Sequence, residues 1–257
     1  MKITKKSWES NFLQRDIYAI SLGERTYRYS DIEQIKCDLE TLQQQAPSGL
    51  YEFELDARYL FLSPAFESAG FRLWDSKFQF ITTISKKKLP RYDYDLPTSC
   101  TIQPYKPVFR DQVLALNEEY LITDDQLVSK WKSPYFDIAV TFKWFTTWVN
   151  NSIDGGAKCS LLIQANEVKG FFIYALGGEY RKQPLYKGVL SAIDPAFRGR
   201  NLHLALQEFI FNELIEQETF CVDNTTQISN IPIIKNHFNS RRNPSSIRLI
   251  FLWEKID

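Results

Sequence analysis

Long apolar runs are absent from this chain: nowhere in its 257 residues does a stretch approach the roughly 18 uninterrupted apolar positions that a membrane-spanning helix needs. The opening MKITKKSWESNF carries basic residues without the apolar core of a secretion signal, so a cytoplasmic protein is expected. Histidine is scarce, with two residues, which argues against a His-rich metal centre. The four cysteines, Cys37, Cys100, Cys159 and Cys221, stand far apart with no C-x-x-C spacing. Buried thiols in a reducing compartment fit them better than a disulfide frame or a zinc site, and no metal is expected. Charge of one sign is not in excess either, with 31 basic against 31 acidic residues. Neither a nucleic-acid duplex nor an anionic membrane is expected as the main partner, and Lys86-Lys87-Lys88 reads as a solvated edge or loop.

What the chain has in quantity is aromatic: 19 Phe, 13 Tyr and 6 Trp. Most belong in a core or between lobes. The segment Trp131 to Trp148 mixes rings with charge, forms no clean amphipathic stripe, and is the best candidate for a pocket wall.

Periodicity divides the chain in two. A β-like run at Ile17–Leu22 leads to Ser30-Asp31-Ile32-Glu33, which has the form of a capping box, and to a helix whose stripe is Ile32, Ile35, Leu39 and Leu42. Strand-like runs at 50–55 and 78–84, with a short helix near Phe66 between them, complete an N-terminal α/β lobe, residues 1–97, that ends in the polar, Pro-containing linker 86–97. The second lobe, residues 98–257, opens with a strand at 100–103 and a helix at 111–121 that buries Val113, Leu114, Leu116 and Leu121 or a subset. A helix around 142–149 follows, then three strands at 159–165, 169–176 and 186–193, and a last strand at 247–253. Two successive α/β lobes are compatible with a degenerate duplication, although no repeat is obvious from spacing.

The most informative stretch is LSAIDPAFRGRNLHLAL, Leu190 to Leu206. A strand breaks at Asp194-Pro195 and reopens as a helix through a basic, Gly-containing turn, which aims free backbone amides and the positive end of a helix dipole at one spot. Pyrophosphate suits such a cradle. Downstream, TFCVDNTTQ reads as another strand, and Asn230 is a plausible cap, with Pro232 in the first turn, for a helix carrying His237 and Phe238.

This order of strand, D-P-x-F-R-G-x-x-L, helix, strand, and Asn followed seven places later by a proton-donating residue resembles the GNAT superfamily of acyl-CoA-dependent N-acyltransferases. The resemblance implies an α/β fold with a mixed central sheet whose strands splay, flanked by helices, here with the smaller N-terminal α/β lobe added. The family motif Q/R-x-x-G-x-G/A, which wraps the CoA pyrophosphate, falls on Arg198, Gly199, Arg200, Asn201, Leu202 and His203. Asn201 replaces a Gly and His203 replaces a Gly or Ala, so an imidazole is expected where backbone usually approaches phosphate. By the same likeness the strand 189–193, with Ala192 and Ile193, would contact the pantetheine and stabilise an oxyanion, and Asn230 would meet the pantetheine arm.

His237 takes the place of the family's general-acid Tyr, which implies an imidazole of raised pKa that protonates the CoA thiolate; the alternative is a helix His packed beside Phe238 without chemistry. Glu179, Asp137 and Tyr135 are candidates by type for the base that accepts a proton from the amine. A narrower likeness, on Trp8-Glu9-Ser10-Asn11-Phe12, Phe66-x-x-x-Gly70-Phe71 and Thr226-Gln227, is to the TDP-fucosamine acetyltransferase group. It implies acetyl transfer from acetyl-CoA to a primary amine of a small acceptor, such as the amino group of a nucleotide-linked amino sugar. A protein or peptide acceptor on the same fold, and a non-catalytic member that has lost CoA, remain open. A ring-lined pocket would favour the nucleotide sugar, and a strongly acidic cleft a basic peptide.

Overall fold

The strand-like runs become ten strands of one mixed sheet in a computed structural model that describes residues 1–23, 25–121, 129–215 and 219–256. The first half of the chain supplies β1 (Lys2–Lys5), α1 (Ser7–Leu13), β2 (Ile17–Ser21), α2 (Ile32–Gln45), β3 (Gly49–Asp56), α3 (Ser63–Ser68) and β4 (Arg72–Ile84). The second supplies β5 (Cys100–Pro104), α4 (Arg110–Leu121), α5 (Ile138–Asp154), β6 (Lys158–Gln164), β7 (Glu167–Tyr180) and β8 (Gln183–Ile193). It continues with α6 (Leu202–Ile215), β9 (Phe220–Gln227), α7 (Ile231–Asn239) and β10 (Ser246–Lys255).

The spatial order is β1-β2-β3-β10-β4-β9-β8-β7-β6-β5. Outward from the antiparallel β10/β4 pair the two sides match. First come β3 and β9, antiparallel to their inner neighbours, then β2 and β8, each parallel to the strand before it, then β1 and β7, antiparallel again. The helices match as well: α2 and α6 each have 14 residues, and β3 and β9 each have eight. The topology is that of a duplication in which the halves have exchanged their last strands.

Apolar packing explains the exchange. Phe251 of β10 is fully buried in the N-terminal core with Leu39, Phe53 and Phe66. The two faces of the second half have their own cores, one under α6 with Phe172, Tyr174 and Phe220, the other under α4 and α5 with Val113, Leu161 and Phe171. The expected stripe of α2 is confirmed, with Ile35, Leu39 and Leu42 buried and Ile32 packed beside them. In α4, Val113 and Leu116 are buried and Leu114 is partly buried, while the Leu121 side chain lies outside the described residues.

Two local expectations change. The box before α2 forms two residues earlier than Ser30: Asp31 Oδ2 accepts from the Arg28 amide at 2.7 Å, so Asp31 is the reaching acid. Helix α6, expected from its apolar spacing to bury one broad face of Leu202, Leu206, Phe209, Ile210 and Leu214, is buried well beyond it, Leu204, Ala205 and Phe211 included. The reason is the segment read as a linker, whose Leu89, Tyr92 and Leu96 pack into the core to which α6 belongs.

Candidate active site

A parallel pair of strands holds together only while both keep the same direction, and β8 and β9 stop doing so. Their register runs Leu185 to Cys221, Tyr186 to Val222 and Lys187 to Asp223, and ends there. Beyond it β9 pairs with β4, while β8 stays with β7. On the β7 side Tyr174 faces Gly188 and Ile173 faces Leu190, so Val189 is the extra residue of a bulge at the point of divergence. The side chain at the apex is Asn224, and a Cβ on Gly188 would lie 2.8 Å from its Oδ1. Glycine at 188 is what lets the carboxamide sit between the strands.

The β8–α6 turn lies at the far end of β8. Asp194 accepts from the Ala196 amide, Gly199 has φ +81° and Asn201 φ +57°, the left-handed backbone that Gly and Asn tolerate best. The amides of Gly199 to His203 make no hydrogen bond among the described residues, as is usual where a turn opens into a helix. The two arginines of the turn are engaged. Arg198 Nε donates to the Ile193 carbonyl at 3.1 Å, and Arg200 pairs with Asp95 at 3.1 Å. The 93–95 segment also clasps the turn through Asn201 Nδ2 to the Asp93 carbonyl and the Asp95 amide to the Arg200 carbonyl, each 3.1 Å.

The imidazole of His203 does not stand at the phosphate position as expected. As the second residue of α6 it points inward, edge-on to Phe172 and within 3.0 Å of Gln207 Nε2. Arg242, buried between the rings of Tyr92 and Phe211, organises this region. A guanidinium only donates, so Gln207 turns its Oε1 to Arg242 at 2.9 Å and its Nε2 to His203 Nδ1. The same group donates to His237 Nδ1 at 3.3 Å, which leaves the His237 proton on Nε2.

Both histidines are held neutral. Burial, then the Arg242 charge, brings His203 down to about 3, and burial, Arg242 and His203 bring His237 down to about 2. The raised pKa expected of His237 is therefore corrected: its ring is stacked on Phe80 at 4.3 Å, too dry and too near a fixed cation to carry charge.

A cavity of about 700 Å³ runs from the splay toward the N-terminal half. Its inner end is lined by the 187–191 and 224–227 segments with Asn230, His203 and His237. Asn230 caps α7 as foreseen, its Oδ1 accepting from the Ile233 amide. The outer end has an aromatic wall in which Trp144 packs on Trp131 at 4.4 Å, Phe145 at 4.9 Å and Trp148 at 5.1 Å. Trp144 Nε1 is buried and has no hydrogen-bond partner among the described residues.

Opposite stand charges from the N-terminal half. Glu52 of β3 receives Lys6 at 2.9 Å and Lys130 at 2.5 Å. Burial pushes its carboxyl up, but the two ammonium groups outweigh burial and hold it down at about 2. Lining charge totals five lysines against three glutamates.

Of the residues singled out in the sequence, His203, Asn230 and His237 meet in the cavity, whereas 198–202 form the β8–α6 turn and are not among the cavity's lining residues. Ala192 is turned into the core under α4, and Ile193 serves through its carbonyl. None of the candidate bases lines the cavity: Asp137 caps α5, Tyr135 packs on Trp74, and Glu179 lies in the distal β7–β8 pairing. Glu9, Glu52, Glu54 and Asn224, which do line it, were missed.

Solved structures share this architecture at low identity. A GCN5-related N-acetyltransferase from Sphaerobacter thermophilus matches with a TM-score of 0.58 and 12% identity over 93% of this chain and 72% of that one. A tandem GNAT protein from the clavulanic acid biosynthesis pathway matches at 0.53 and 10%, over 94% and 76%. A GCN5-related N-acetyltransferase from Kribbella flavida matches at 0.52 and 9%, over 94% and 82%. No family model matches the chain, and no curated protein does. The fold is that of GCN5-related N-acetyltransferases. Among the described residues no helix is long and apolar enough to cross a membrane.

Proposed function

We propose that the protein is an acyl-CoA-dependent N-acyltransferase that carries acetyl from acetyl-CoA to the primary amine of a nucleotide-linked amino sugar. The observation that carries the reading is the splay of β8 from β9 with five unbonded amides, Gly199 to His203, at its end. An open pair of parallel strands offers a pantetheine chain the backbone groups the strands no longer give each other, and the amides with the α6 dipole suit a diphosphate. Acetyl-CoA supplies an activated acyl group at a thioester. The protein's part is to bind, orient and exclude water, with the amide at the Val189 bulge available to the carbonyl oxygen.

A neutral His237 acts here as an N–H donor rather than an imidazolium acid. A thiol pKa near 8.5 lets water finish the protonation of the leaving thiolate. Lining charge supports the acceptor class. Five lysines against three glutamates oppose a basic peptide and suit an anionic diphosphate, while the Trp131–Trp144 wall gives a base a surface to stack on. A thiol-release screen of nucleotide-linked amino sugars with acetyl-CoA tests the assignment. Turnover with one such sugar and none with lysine-rich peptides is expected; the reverse would replace this acceptor class.

A further inference from the structure

Asn224 stands out among the polar side chains of the splay. It is 6% exposed and lines the cavity, and its Nδ2 is buried without a hydrogen-bond partner among the described residues. A buried amide left unpaired is costly, so a pair of N–H donors kept dry at the mouth of a cleft is a feature to explain. Its orientation is fixed by Tyr174, whose hydroxyl donates to Asn224 Oδ1 at 2.6 Å. That distance belongs to an O–H···O bond and is short for N–H···O, so the carboxamide presents its oxygen to Tyr174 and its nitrogen elsewhere. Tyr174 is fully buried and lies 3.2 Å from Gln207 Oε1, in the network held by Arg242, so the mount is rigid.

Position says what the donor is for. From Ile193, beside the cradle, to Gly188, at the apex, β8 spans five residues, roughly 16 Å at a strand rise of about 3.3 Å per residue. A chain anchored by its diphosphate at Gly199–His203 and laid along β8 therefore brings its far end to the apex, where Asn224 and the Val189 bulge meet.

Resting on the acyltransferase reading above, we infer that Asn224 is a catalytic residue whose Nδ2 donates to the thioester carbonyl oxygen. When the amine attacks, the new C–N bond sends the carbonyl pair onto that oxygen, and the Asn224 N–H bond strengthens as the charge grows. The pair returns as the C–S bond breaks, sulfur leaves with the bonding electrons, and the proton lost by the amine ends on the thiolate. A donor fixed before the reaction and shielded from water needs no reorganisation at that moment.

The test needs no acceptor. Wild type, Asn224→Ala and Asn224→Asp are titrated by calorimetry with acetyl-CoA and separately with CoA, and the carbonyl band of bound [1-13C]acetyl-CoA is recorded by isotope-edited infrared spectroscopy. Loss of one bond to the acetyl oxygen weakens acetyl-CoA binding roughly two- to tenfold while CoA binding holds, and moves the carbonyl band to higher wavenumber. Asn224→Asp keeps the acceptor for Tyr174 and removes the N–H groups, so it carries the test if the Ala variant does not fold. An unchanged band, or equal weakening for CoA and acetyl-CoA, overturns the inference. Wild type that binds neither ligand removes the acyltransferase reading as well, whereas tight wild-type binding with an unmoved band removes this inference alone.

Discussion

The two parallel strand pairs are built alike and end differently. β2 and β3 stay in register through Ile17–Leu50, Tyr18–Tyr51, Ala19–Glu52 and Ile20–Phe53, almost the whole length of β2. Large rings fill the space beneath them, Phe53 stacked on Phe66 at 4.0 Å and Tyr18 on Tyr51 at 4.9 Å. At the start of α2 the acid Asp31 already takes the Arg28 amide, which places a carboxylate where the second half offers bare amides. In the second half the pair opens after three residues, the strand carries a bulge, and a glycine makes room for Asn224. One topology gives a closed core in one half and an open cleft in the other, and a few positions decide which.

The open half also contains both histidines of the chain, and they give the largest expected effect. Their folded pKa values lie below the unfolded value near 6.5, so as pH falls the unfolded chain takes up protons that the folded chain refuses. Stability is full above about pH 6.5 and falls on acidification, by about 1.4 kcal/mol per pH unit for each histidine until its folded pKa is reached. Asp75 opposes this between about pH 4 and 6, because burial raises its carboxyl to about 6 and favours the folded chain when protonated. Denaturant melts of wild type, His203→Gln and His237→Gln from pH 7 to 4 should show each variant with a flatter slope. Equal slopes would mean that the histidines are charged in the folded chain.

Next in size is closure of the cleft. Gly188→Val puts a Cβ 2.8 Å from Asn224 Oδ1, so the added side chain competes with the carboxamide for the space between the strands and displaces it from the apex. Acetyl-CoA affinity measured by calorimetry should fall roughly a hundredfold, with about 1–3 kcal/mol of stability lost to the overpacking, which would make the second half resemble the first. Unchanged affinity would show that the apex is not where the ligand lies.

The smallest effect concerns the strap over the cradle. Asp95 holds Arg200, and both are largely exposed, so Asp95→Ala should tighten acetyl-CoA binding by roughly two- to fivefold at low salt and by less at high salt. Weaker binding in the variant would mean that the strap shapes the turn more than its charge opposes the ligand.

Much of the open half could be read from the chain, because its signals are local. Asp194-Pro195, the left-handed Asn201 and the Asn230 cap each depend on neighbours within a few residues. The exchange of β4 and β10 could not, since the apolar run 247–253 fits a sheet without naming its neighbours. Glu52 was missed for a related reason. In LYEFEL it alternates with core residues and reads as a solvated edge, yet it is 5% exposed because Lys6 and Lys130, far off in sequence, cover it. His237 was expected to carry a raised pKa and His203 to face a phosphate; burial, which the sequence does not show, and Arg242, which belongs to no motif, instead keep both rings inward and neutral.

The comparison of the halves rests on a countable quantity, the number of acetyl-CoA molecules bound per chain. Isothermal titration of the wild-type protein should give saturable binding in the micromolar range at one ligand per chain, from the β8–β9 cleft alone. No heat at high ligand, or two equivalents per chain, would contradict the account: the first by denying the open cleft its ligand, the second by showing the β2–β3 pair is not closed.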